Sequence, residues 1–74
     1  MAQTEEKEIY SIVADALEAD AIESGDDYRR LPLWGSLAAF MIKVSVARRF
    51  GKELTLSEIG GFASAGELAR RILG

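Results

Sequence analysis

The chain contains neither histidine nor cysteine. Without histidine it lacks the commonest general base, the commonest metal ligand and the middle member of a Ser-His-Asp relay. Without cysteine it has no disulfide framework and no thiolate metal site. Asp and Glu remain for acid/base work, but no pattern pairs them across an apolar pocket. Neither a catalytic residue nor a metal site is expected, and the protein is not read as an enzyme. One side chain stands out for chemistry. Ser36 falls at the predicted N-terminus of a helix, after Trp34-Gly35. A helix N-terminus offers unpaired N–H groups and a positive pole, which suit a phosphate ester on that serine. The plainer role for such a serine is an ordinary N-cap.

The elements that would position Ser36 can be read from periodicity. Ile9, Ile12, Val13, Ala16 and Leu17 form one apolar stripe at helical spacing. This predicts a first helix from about Glu5 to about Ala19, with Thr4 as N-cap and Glu5 and Glu6 favoured by the dipole. A long connection follows, roughly 20–35. Ser24-Gly25-Asp26-Asp27 is turn chemistry, and Pro32 ends any local helix. Tyr28, Leu31, Leu33 and Trp34 make the segment too apolar for a free linker, so it is expected to pack over the helices. The second helix should run from Ser36 to about Phe50, stopped by Gly51. Thr55-Leu56-Ser57-Glu58 and Ser64-Ala65-Gly66-Glu67 each fit a capping box. They start a short helix ended by Gly60-Gly61 and a last helix with Ala65, Leu68, Ala69 and Ile72 inward. The fold class is all-α: a bundle of three main helices plus one short one, with a long first loop, forming one domain over residues 1–74. A core this small leaves a thin stability margin.

The second helix has an unusual pattern. At about 100° per residue, Leu37, Phe40, Met41 and Val44 cluster on one side. Ala39, Ile42, Val46 and Phe50 cluster on the other. Such a helix is either buried all round or keeps a second face for a partner.

Trp34-Gly35-Ser36-Leu37 resembles the Asp-Ser-Leu signature of the acyl carrier protein family, which binds phosphopantetheine. More narrowly, it is similar to the Trp-Asp-Ser-Leu form of free-standing carriers in specialised pathways. Phe50-Gly51 stands where such carriers close the second helix. Ser64-Ala65 stands at the start of the last helix, with Leu68 and Ile72 at the apolar positions after it. The acidic first helix and the long first loop match too. The resemblance spans nearly the whole chain.

It implies an acyl carrier protein of fatty acid or polyketide type. Such a carrier holds an acyl or aminoacyl thioester on a 4'-phosphopantetheine arm, attached covalently to Ser36. Its partners would be a phosphopantetheinyl transferase and the enzymes that transfer or modify the acyl group. Two departures stand out. Gly35 replaces the family's usual aspartate, which helps the transferase dock. The second helix, acidic in typical carriers, here carries Lys43, Arg48 and Arg49, with Lys52 just beyond, and no acid. In the family's orientation Ala39, Ile42, Val46 and Phe50 face the core, while Leu37, Phe40, Met41, Val44 and Arg48 face outward as a partner-binding stripe. The alternative is that Tyr28 or Trp34 of the long loop covers that stripe.

The net charge of -3 is unevenly spread. Residues 1–27 carry nine acids and one base, and residues 28–74 carry three acids and eight bases. Either two faces of opposite sign attract each other within the fold, or the basic part meets an acidic partner. Nucleic-acid binding is not expected, because the bases are scattered and the acidic first helix repels phosphates. The apolar runs are too short to span a bilayer, and the N-terminus has no signal-peptide pattern. A cytoplasmic monomer is expected. The competing function is a non-modified helical protein-interaction module with the carrier fold.

Overall fold

The structure is a computed structural model and describes residues 2–74, with side chains described from Thr4 onward. It is an all-α bundle of α1 (Ala2–Leu17), α2 (Ser36–Phe50), α3 (Leu56–Ile59) and α4 (Ala65–Leu73). A single 3₁₀ turn, Tyr28–Arg30, interrupts the long connection between α1 and α2. α1 packs on both α2 and α4, and α3 packs on α2. Three main helices and one short one are present, as the capping and periodicity predict.

The ends of α1 differ from expectation. Thr4 is not the N-cap, because the helix already includes Ala2. Alanine and glutamine are good helix formers and carry the helix past Thr4. At the other end α1 stops at Leu17, short of Ala19. Glu18 turns left-handed, with φ 54°. The Ala19 N–H donates to the Ala14 carbonyl at 2.9 Å, and the Glu18 N–H donates to that of Asp15 at 3.3 Å. These two bonds form a Schellman closure, normally built on glycine. A left-handed L-residue costs about 1–2 kcal/mol. Glycine would relieve that cost but lose about 0.5–1 kcal/mol to greater freedom in the unfolded chain. Glu18→Gly is therefore expected to stabilise the protein by up to about 1 kcal/mol, read as a higher urea midpoint with an unchanged slope.

The core face of α1 is also shifted. Ile9, Val13 and Leu17 are buried as expected, with Ala14 beside them, while Ile12 and Ala16 are half-buried. α1 sits between α2 and α4, so its buried stripe centres between them. Ile12 and Ala16 then lie at its α2 edge. α2 buries Ala38, Ala39, Ile42 and Val46 and partly buries Phe50. α4 buries Ala65, Leu68, Ala69 and Ile72. Leu54 and Ile59 complete the core from the region of α3.

The connection between α1 and α2 is an ordered strap. Asp27 caps the 3₁₀ turn, accepting from the Arg29 N–H at 3.1 Å. Tyr28 is fully buried, and its hydroxyl donates to the Ile59 carbonyl at 2.5 Å. Arg29 is held by Asp27 through Nε at 2.9 Å and donates to the Gly60 carbonyl at 3.0 Å. Trp34 meets Tyr28 edge to face, with centroids 5.4 Å apart. Upstream, the Asp26 and Ser24 carbonyls accept from the Ala65 and Gly66 N–H groups, each at 2.8 Å. The strap thus satisfies orphan N–H groups at the start of α4 and tethers the end of α3.

The remaining caps follow the sequence closely. Gly51 closes α2 in the left-handed region at φ 67°, donating to the Ala47 carbonyl. Thr55 and Glu58 form the reciprocal capping box of α3. Only half of the second box is made. Ser64 accepts from the Glu67 N–H, but the Glu67 carboxylate accepts from Ala63, one residue before the cap.

Candidate functional site

Ser36 is the first residue of α2, and its side chain is exposed. The N-cap position belongs to Gly35, so the plain capping role open to Ser36 from sequence is not the one it occupies. Gly35 has φ 175° and ψ -173°, extended backbone that any residue adopts. A β-carbon built there meets nothing within 4 Å. Neither backbone strain nor crowding therefore requires glycine at this position.

The Gly35 carbonyl accepts the first intrahelical bond, from the Ala39 N–H at 3.0 Å. The N–H groups of Ser36, Leu37 and Ala38 have no partner one turn earlier, and glycine has no side chain to cap them. They point toward the same end of the helix as its positive pole. At α3 and α4 the comparable donors are met by Thr55, by Ser64 and by the strap. Ser36 borders a shallow depression of about 310 Å³ lined by Trp34, Gly35, Ala39 and Leu56. None of these side chains is ionisable, so the depression holds no base to draw a proton from the Ser36 hydroxyl.

Beyond Ser36 runs the outward side of α2. Leu37 is 72%, Phe40 53% and Met41 41% exposed. Arg48 is exposed and Val44 is half-buried. The strap does not cover this face, because Tyr28 enters the core and Trp34 lies against Tyr28 and near Gly60. Leu33 and Leu56 are the other large exposed apolar side chains among the described residues. Leu56 lines the depression beside Ser36, and Leu33 stands near the end of the strap, three residues before Ser36 in sequence. Sequence reading did not single them out as surface residues. Leu33 adjoins Pro32 in a segment read as packed, and Leu56 is the first residue of a four-residue helix too short for a periodic stripe.

On the far flank, an open groove of about 530 Å³ separates α1 from α2. Ile12, Asp15 and Ala16 line it from α1, and Met41, Ser45, Arg48 and Arg49 from α2. The ion pair between Glu8 and Arg49 joins the two helices. It is the only pair linking α1 to another helix among the described residues, so most of the acidic charge of residues 1–27 faces solvent.

The perturbed ionisable groups belong to the scaffold. The Arg29 guanidinium holds the Asp27 carboxyl below its usual range. The Thr55 N–H, with help from Arg71, does the same for Glu58. Burial pushes the Tyr28 phenol up to about 12. No helix among the described residues is long and apolar enough to cross a membrane. No family model matches the chain, and no curated protein or solved structure matches it.

Proposed function

We propose that this protein is an acyl carrier, with Ser36 as the attachment point for a 4'-phosphopantetheine arm. The observation that carries the reading is the placement of Ser36. It is exposed on the first turn of α2, where the ordered strap ends, within a four-helix order that the family resemblance anticipates. The site fits a phosphate ester: the hydroxyl is free to solvent, and uncapped N–H groups and the positive end of α2 lie beside it. When bound, the arm supplies a terminal thiol that holds an acyl or aminoacyl group as a thioester. Ser36 would anchor it, and the side chains of Trp34 and Leu56 would border its base. The depression offers no base, so activation of the hydroxyl falls to a separate transferase. The chain then presents cargo and performs no bond chemistry itself. Acyl-transferring or acyl-modifying enzymes would dock on Leu37, Phe40, Met41, Val44 and Arg48, in a soluble cytoplasmic setting and without nucleic acid.

A second reading is an unmodified interaction module with the same fold. Gly35 in place of the acidic residue favours it, together with an apolar stripe that could bind a partner without any arm. Intact mass separates the two. The protein is incubated with coenzyme A and a broad-specificity phosphopantetheinyl transferase, beside Ser36→Ala. A gain of one phosphopantetheine in the parent chain, absent from Ser36→Ala, is expected. A carboxylate side chain on residue 35 would begin in open space. Gly35→Asp is therefore expected to speed modification and to cap α2, adding a few tenths of a kcal/mol of stability. If neither the parent chain nor Gly35→Asp gains mass, the carrier reading fails and the interaction module stands.

A further inference from the structure

We infer that the outward side of α2 and the groove beside it pair two copies of this chain about a two-fold axis. The inference goes beyond the carrier reading and does not depend on modification of Ser36. It rests on where exposed apolar area and unpaired charge of both signs fall together.

Leu37, Phe40 and Met41 are exposed on one side of α2, with Val44 half-buried among them. Met41 also forms a wall of the groove between α1 and α2, so the stripe and the groove are one continuous surface. Exposed apolar area of this kind marks a contact. α1 carries no large exposed apolar side chain among the described residues. A partner face therefore needs to reach α2 and can use α1 only for its charge.

Charge decides the occupant. The groove carries both signs, with Asp15 from α1 and Arg48 and Arg49 from α2. Arg49 is taken by Glu8. Asp15 and Arg48 are both exposed, and neither has an ion pair among the described residues. A helix of uniform sign would meet one opposite and one like charge here, so its charge gives it no advantage. A second copy brings the matched set. A two-fold axis that runs between Asp15 and Arg48 exchanges the two groups. Each acid then faces the other copy's base, and the contact is made twice in one interface. One group sits on α1 and the other on α2, so that axis is oblique to both helices. The two α2 stripes then cross instead of running edge to edge.

The shared surface is short. Leu37 to Arg48 spans about 16 Å of helix at 1.5 Å per residue, which suits a weak and reversible pair. Reversibility also matters for the face itself, because an enzyme docking on α2 would compete with the second copy.

Sedimentation of the full chain from about 10 µM to about 1 mM, a range that brackets weak association, tests this. The average mass is expected to rise from one chain toward two. Asp15→Lys and Arg48→Glu are exposed changes that leave the core untouched, and circular dichroism checks that each variant is folded. Each sets like charges opposite one another at both symmetric contacts and should weaken pairing about tenfold. Mixed in equal amounts, the two variants present opposite charges at both contacts, and pairing should return as a mixed dimer. Asp20→Lys makes the same charge change at a residue that does not line the groove, and should pair like the parent chain. At about 0.5 M salt, where screening is nearly complete, the charge variants should approach the parent chain. Phe40→Ala should weaken every combination. Backbone amide shifts on dilution should fall on α2 and along the Ile12–Ala16 edge. A mass that stays at one chain through about 1 mM, shifts elsewhere, or folded variants that do not pair when mixed would each overturn the inference. Pairing by a chain that takes up no phosphopantetheine would remove the carrier reading alone. Modification of a chain that stays single would remove the pairing inference alone.

Discussion

Tyr28→Ala is expected to cost about 3–5 kcal/mol, a large share of the protein's stability. A domain of this length has roughly 4–11 kcal/mol in all. Tyr28 is fully buried and contacts the edge of Trp34. Its hydroxyl donates to the Ile59 carbonyl across 31 residues of chain. Truncation removes a large apolar body, an aromatic pair and the tether between the strap and α3. Tyr28→Phe separates these parts. It keeps the ring and leaves the Ile59 carbonyl without its donor, at about 1–3 kcal/mol. Urea unfolding followed by circular dichroism reads both variants. A loss below about 1 kcal/mol for Tyr28→Phe would mean that the carbonyl finds another donor.

The same residue predicts an alkaline limit. The folded state keeps the Tyr28 phenol neutral up to about 12 through burial, while an unfolded tyrosine ionises near 10. Below pH 10 both states hold the proton, and the stability is fully present. Between about pH 10 and 12 the unfolded state releases a proton that the folded state retains. Stability then falls by up to about 1.4 kcal/mol per pH unit. Tyr10, raised chiefly by burial and then by its hydrogen bond to Glu6, contributes in the same direction. Tyr28→Phe isolates the larger share, and its unfolding midpoint should fall less steeply over that window. Equal slopes in the two proteins would rule Tyr28 out as the source.

The second large effect is expected at Gly66. Alanine in place of a helical glycine ordinarily stabilises, by up to about 1 kcal/mol. Here the opposite sign is expected. A β-carbon on Gly66 would lie 2.9 Å from the Ser24 carbonyl oxygen and 3.3 Å from the Ser24 β-carbon. That carbonyl is itself the acceptor of the Gly66 N–H, and its neighbour, the Asp26 carbonyl, binds the Ala65 N–H. The strap cannot retreat without releasing two N–H groups of α4. Gly66→Ala should therefore cost about 1–3 kcal/mol and speed amide exchange at Ala65. Gly35→Ala is the control, since its β-carbon meets open space. A more stable Gly66→Ala would show that the strap does not press on α4 at this point.

The helices, the N-caps of α3 and α4, the stop of α2 and its two-sided nature were legible in the sequence for local reasons. Thr55 with Glu58, Ser64 before α4 and Gly51 after α2 act within a few residues of themselves. Local spacing also separated Ala39, Ile42 and Val46 from Leu37, Phe40 and Met41. It put Ser36 at the start of α2, although it did not decide between N-cap and first helical residue. What it could not show depends on neighbours far along the chain. The Glu18 closure ignores residue preference, because the chain must turn there to let Ile22 and Tyr28 reach the core. Ile12 and Ala16 belong to the apolar stripe of α1, and only the seating of α1 between α2 and α4 leaves them on an open groove. Trp34 and Tyr28 could have covered α2. They do not: Tyr28 is buried with its phenol donating to the Ile59 carbonyl, and Trp34 lies against Tyr28. Composition and periodicity thus determined which segments are helical and which faces are apolar. Tertiary structure decided which apolar face stays in water, because burial is settled by long-range packing and by where buried polar groups find their partners.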